Sequence, residues 1–225
     1  LFDGTTTLNK LDWKVDEVVS KLSEENKIED IIVVAIWNIP NLRHGDLYPK
    51  KPYELISKEN QEKIISEAKK SQFPFDDKKI NSDNYLKFIV KELKPYIDKN
   101  YRTKTKAKNT ILFGSSLGGL VSYYGALKYP EVFGKAGVFS PSFWFSNDIY
   151  TFTEKQPKIK TKFYFLCGDK ESDDMVNDLT KMKRLLDSKR CYCLHLDKTK
   201  IIKGGEHNEK LWRDGFVKAF LWLGY

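Results

Sequence analysis

Asn109 to Tyr124 reads NTILFGSSLGGLVSYY, and the order of its parts decides the fold. Thr110-Ile111-Leu112-Phe113 is a short apolar run of the kind that makes a buried strand. Gly114-Ser115-Ser116-Leu117-Gly118 follows at once, and Gly119 to Tyr124 reads as a helix start. Strand, G-x-S-x-G, helix is the context of a nucleophile elbow. A serine at the tip of so tight a turn sits in a strained backbone geometry. Its neighbours two positions away must lack bulk so that strand and helix can pass closely. Ser116 then projects alone above the sheet. The N–H of Leu117, at the helix start, points to where an oxyanion would form.

The same alternation continues outward on both sides. Leu11, Val15, Val18, Val19 and Leu22 recur at helical spacing and predict a helix over Leu11 to Glu25. Ile31 to Trp37 (IIVVAIW) is β-branched and continuously apolar, which predicts a strand buried on both faces. Asn38 to Lys51 reads as a loop, and Lys69 to Asn81 as a surface excursion. Ser82 or Asp83 can cap a helix whose stripe is Tyr85, Phe88, Ile89, Leu93 and Tyr96, with Pro95 kinking it near the end. After the elbow come a strand over Ala136 to Ser140 and an aromatic loop over Pro141 to Thr153. A strand over Lys162 to Cys167, a helix starting near Met175, a strand over Cys191 to Leu196 and a last helix from Leu211 complete the chain. No repeat or linker interrupts this pattern. It predicts one domain over residues 1–225, an α/β fold with a mostly parallel sheet and helices on both faces. Sites in such sheets lie at the carboxyl ends of the strands.

Composition narrows the function classes. The 225 residues carry a net charge of +8, almost all from lysine, and 14% aromatics. No dense basic segment accompanies a nucleic-acid-reading motif, so the charge reads as a solvated lysine surface and no nucleic-acid partner is expected. No apolar run reaches the roughly 18 residues of a membrane span, so no membrane partner is expected. Three cysteines without C-x-x-C or metal-ligand spacing predict neither a zinc site nor a disulfide framework. The chain opens on Leu1 rather than Met, which fits a start inside a longer protein.

A serine nucleophile needs a base, and three histidines are available. His44 lies in an early loop. His195 is flanked by Leu194 and Leu196 within a strand and reads as structural. His207 follows Gly204-Gly205 and precedes the last helix, where the order Ser, acid, His places the base. The acid should follow the strand ending at Cys167. Asp169, Glu171, Asp173 and Asp174 qualify, and the last two read as first-turn helix residues. Glu171 is preferred because two further residues let the chain turn back toward His207; Asp169 is the alternative acid.

Three stretches together are more specific than the elbow alone. They are Phe113-Gly114-Ser115-Ser116-Leu117-Gly118-Gly119, Cys167-Gly168-Asp169-Lys170-Glu171-Ser172, and Gly205-Glu206-His207 through Trp212-Arg213. This set resembles the Putative esterase family of the α/β-hydrolase fold. That family includes enterochelin (siderophore), feruloyl and acetyl-xylan esterases, S-formylglutathione hydrolases and mycolyltransferases. The resemblance spans almost the whole chain and puts the family's acid position on Glu171. It implies a catalytic set of Ser116, His207 and Glu171, with Leu117 in the oxyanion hole. The implied activity is hydrolysis of a carbohydrate-linked, phenolic or siderophore-type ester through an acyl-enzyme, with no metal or organic cofactor. Acyl transfer to a sugar hydroxyl and non-catalytic ligand binding are the two rival readings. Substrate contacts are expected from Trp37, Arg43, Phe143, Trp144 and Phe145, and export to the periplasm or medium is expected from the family's habit. The resemblance also implies about three strands before Leu1, one of them near the second oxyanion donor, so the N-terminal strands read as missing.

Overall fold

The computed structural model describes residues 13–70, 75–189 and 197–224. The predicted strand over Cys191 to Leu196, with His195, Cys191 and Cys193, falls outside them. The described elements are α1 (Val15–Glu24), α2 (Arg43–Leu47), α3 (Lys50–Glu54), α4 (Lys58–Lys70), α5 (Ser82–Phe88), α6 (Lys94–Asn100), β1 (Ile111–Ser115), α7 (Leu117–Lys128), β2 (Lys135–Phe139), α8 (Asp148–Glu154), β3 (Lys162–Gly168), α9 (Met175–Ser188), β4 (Asp197–Ile202) and α10 (Glu209–Leu223).

The four strands pair in chain order, β1-β2-β3-β4, and every pair is parallel. Right-handed crossovers that always step the same way leave the connecting helices on one face. Accordingly α7, α8 and α9 share one core, built on Leu112, Val138, Phe163, Phe165 and Cys167. The opposite side chains of the same strands, Phe113, Phe139, Tyr164 and Leu166, need another cover. They receive it from Trp13, just before α1, from Leu22 within it, and from Leu211, Trp212, Phe216 and Phe220 of α10. Gly137 keeps the second core tight, because a Cβ there would collide with the ring of Phe113.

Ile31–Trp37 corrects the sequence reading. It enters no strand, and Val33 is 43% exposed and Trp37 66%. A ladder needs a neighbour, and among the described residues nothing pairs with the outer edge of β1. The run instead forms one wall of a cleft of about 320 Å³, facing Ile111, Leu112, Phe216 and Phe220. The supposed loop over Asn38 to Lys51 is partly helical, holding α2 and the start of α3. β4 escaped the periodicity because Lys198 and Lys200 give it the charged character of an edge strand.

The helix over residues 82–100 is not simply kinked at Pro95. One π-helical turn, Ile89–Leu93, precedes α6 and widens the spiral just before the proline. Neither predicted cap residue caps. Asn81 holds that position, while the Ser82 hydroxyl accepts the Lys50 N–H at 2.9 Å and Asp83 accepts the Tyr124 hydroxyl at 2.5 Å.

Asp148, at the start of α8, is 3% exposed. Its Oδ1 accepts the Ser146 hydroxyl at 2.6 Å and the Tyr48 hydroxyl at 3.4 Å, while its buried Oδ2 has no partner from another residue. Burial pushes this carboxyl up to about 6 from 3.8. The folded state therefore holds a proton that the unfolded chain has released over that window, so stability falls as pH rises through it. Asp148→Asn removes this titration. Relative to the parent, its stability is expected to improve by about 2.4 kcal/mol between pH 4 and pH 8, read from denaturant midpoints at the two ends. A parallel dependence in both proteins contradicts the assignment.

Candidate active site

The elbow is built as its glycines require. Ser116 follows β1 directly and has φ 54° and ψ −125°, a backbone state that a residue with a Cβ rarely adopts. Three bonds hold it there: its N–H donates to Phe139 O at the end of β2, 3.0 Å away, and its C=O accepts the Leu120 N–H at 3.0 Å and the Ser142 N–H at 3.3 Å. A Cβ at Gly119 would lie 2.7 Å from Phe139 O, so only glycine lets the first turn of α7 cross the strand ends. Leu117 is the first residue of α7, so its N–H has no acceptor within the helix. The Ser116 hydroxyl lies 3.4 Å from that of Ser142, in the loop after β2.

The ends of β3 and β4 are clamped together. Gly168 and Gly205 pass so closely that a Cβ on Gly168 would fall on the Gly205 carbonyl. Asp169 N–H donates to Ile202 O at 3.1 Å and Lys170 N–H to Gly205 O at 2.9 Å. The Asp169 carboxylate accepts the Gly204 N–H at 2.7 Å. Asp169 thus braces the loop that carries His207, and the residue that meets the imidazole is Glu171. Glu171 Oε2 lies 2.7 Å from His207 Nδ1, with the Glu171 side chain 1% exposed and the His207 side chain 36%. Its other oxygen, Oε1, accepts the Ser140 hydroxyl at 2.7 Å and the Gly168 N–H at 2.5 Å. A buried carboxylate needs such donors on both oxygens.

His207 does not cap the last helix. Asn208 does, its side chain accepting the Leu211 N–H at 3.1 Å. The imidazole is therefore left at the rim, with the Trp212 ring against it at 5.0 Å and 89°. No hydrogen bond joins Ser116 to His207 directly; the two are linked through β2. Phe139 O holds Ser116, and the next residue, Ser140, holds Glu171. Bonds of this kind often tighten only when substrate binds.

The five expected substrate contacts divide. Phe143 is completely buried between Tyr123 and Tyr150, and Phe145 packs on Tyr48 and Phe75; both belong to the buried core. Their burial follows from the short helical turn Phe143–Phe145, which points its first and last rings inward and its middle one outward. That middle ring, Trp144, is 50% exposed and stands two residues from Ser142. Arg43 opens α2 and is half-buried, and Trp37 stands out from the surface. Sequence reasoning missed Ser140 and Ser142. Their one signal was position, directly after a strand that ends at the sheet's carboxyl rim. Among the described residues no cluster of side chains could hold a metal ion, and no helix is long and apolar enough to cross a membrane.

Comparison with known proteins agrees with this architecture. The model of the family described as Putative esterase matches residues 1–223. The chain is 30% identical over 152 residues to the uncharacterized protein YbbA of Bacillus subtilis, covering 62% of this chain and 59% of that protein. It is 33% identical over 99 residues to an endo-1,4-beta-xylanase/feruloyl esterase of Xylanibacter ruminicola, covering 44% of this chain and 13% of the relative. Among solved structures, the BES protein of Bacillus cereus superposes with a TM-score of 0.64 at 22% identity, covering 93% of this chain and 77% of that one. The enterobactin esterase FES of Shigella flexneri superposes with a TM-score of 0.56 at 19% identity, covering 63% of this chain and 38% of that one. These likenesses establish the α/β-hydrolase fold. The chain spans less than two thirds of the length of both sequence relatives.

Proposed function

Because the chain belongs to the Putative esterase family, we propose that it is a serine carboxylic-ester hydrolase. The observation that carries this reading is the bond between the buried Glu171 and His207, at the same strand rim as the strained Ser116. The carboxylate fixes the proton on Nδ1, which leaves Nε2 as a free base. His207 takes the Ser116 proton as the hydroxyl oxygen attacks the ester carbonyl. The carbonyl π pair moves onto oxygen, where the Leu117 N–H and the positive end of α7 receive it. Collapse of this intermediate breaks the C–O bond, and His207 returns the proton to the leaving alcohol. Water then repeats the sequence on the acyl-enzyme and frees the acid. Glu171 stays ionised and supports the imidazolium.

The substrate reading is an ester with a ring on its acyl or sugar side, such as a phenolic, carbohydrate-linked or siderophore-type ester. Trp144 supports it, as an exposed ring two residues along the chain from Ser142. The feruloyl esterase and enterobactin esterase named among the similar proteins favour the same class. Methyl ferulate is expected to be cleaved faster than an aliphatic methyl ester of similar size. With a sugar acceptor in excess, the product is expected to be free ferulate rather than a new ester. Binding of both esters by folded protein without release of acid would contradict the proposal.

A further inference from the structure

Trp212 lies in the first turn of α10, five residues beyond His207, and it does two things at once. Its ring packs against the imidazole at 5.0 Å, and its Nε1–H donates to the Ser140 hydroxyl at 2.7 Å. A hydroxyl has one proton and two lone pairs, while an indole N–H only donates. Receiving the indole proton therefore leaves the Ser140 proton to its other neighbour, Glu171 Oε1, at 2.7 Å. The Gly168 N–H takes the same carboxylate oxygen. Oε2 is thereby left facing His207 Nδ1. Ser140 is fully buried at φ 42°, and its N–H donates to Leu166 O at 2.6 Å, which ties this unusual backbone to β3. A strained residue held by its neighbours at such a place is a sign of function.

We infer that Trp212 and Ser140 are positioning residues that orient Glu171 and, through it, fix the tautomer and tilt of His207. The inference rests on the esterase reading for its effect on rate, but the hydrogen-bond chain itself can be observed without turnover. Docking of α10 on the sheet sets both the imidazole wall and the far end of this chain, so the base and its orienting acid move as one unit.

Two variants test this. Trp212→Phe keeps an aromatic wall but removes the N–H, and Ser140→Gly removes the hydroxyl at a backbone angle that glycine accepts. In each, kcat is expected to fall about tenfold, a fraction of the roughly 10²–10⁴-fold advantage of a positioned base, with KM within about twofold. The far-downfield proton resonance of His207 Nδ1–H, assigned by its loss in Glu171→Gln, is expected to shift or broaden in both variants. Parental kcat with an unmoved resonance overturns the inference. So does a rise in KM with an unmoved resonance, which would make Trp212 only a pocket wall. Should Trp212→Phe not fold, Ser140→Gly decides alone, since it leaves the Trp212 ring in place. Should the parent hydrolyse no ester, the functional reading fails, and the resonance still reports whether the chain of bonds exists.

Discussion

Ser116→Ala is expected to lower kcat/KM for any ester substrate by about 10⁵-fold or more, because it removes the atom that becomes bonded to the acyl group. KM and fold should barely change, since the methyl fits where the hydroxyl was. The residual rate should not depend on His207, because a base without its nucleophile has no proton to take. Ser116→Gly separates the chemistry from the strain. The positive φ at this position is a cost that glycine does not bear, so this variant should be inactive yet more stable than Ser116→Ala by about 1 kcal/mol in denaturant. An inactive variant that is also less stable than Ser116→Ala would mean that the elbow is relaxed, and that the glycines around it have another purpose.

Glu171→Gln is expected to lower kcat by about 10³–10⁴-fold through the wrong tautomer rather than through loss of shape. Oε1 of Glu171 already accepts two protons, from Ser140 and from the Gly168 N–H. The glutamine carbonyl must take that place, since an NH₂ there would oppose the Gly168 donor. The amide NH₂ then faces His207 and donates to Nδ1. The ring proton is forced to Nε2, the nitrogen that must be free to accept from Ser116. Asp169→Asn, by contrast, should act on the loop through the Gly204 N–H and leave much more activity. Equal losses in the two variants would contradict the assignment of Glu171.

The parts of the molecule that were legible in the sequence are those settled by neighbours in the chain. The elbow is one, because strand, glycines, serine and helix follow each other within a dozen residues. The buried strands β2 and β3 are others, since each is a short apolar run between turns. Ile31–Trp37 was misread because periodicity reports an appetite for burial, and a strand also needs a partner across the ladder. The aromatic run Phe143-Trp144-Phe145 could not be divided from sequence. Which ring faces inward depends on a single helical turn and on packing partners that include Tyr48 and Tyr123, about 100 and 20 residues earlier in the chain. Ser140 was invisible for the same reason: its importance comes from Trp212, 72 residues later.

The central claim is that Ser116 is an activated nucleophile driven by His207, and covalent labelling addresses it most directly. Folded protein treated with a fluorophosphonate, digested and mapped by mass spectrometry, should carry one adduct, on the peptide containing Ser116. The adduct should be absent in Ser116→Ala and should form far more slowly in His207→Ala. A folded parent protein that takes no label, or one whose label persists in Ser116→Ala, would contradict the account.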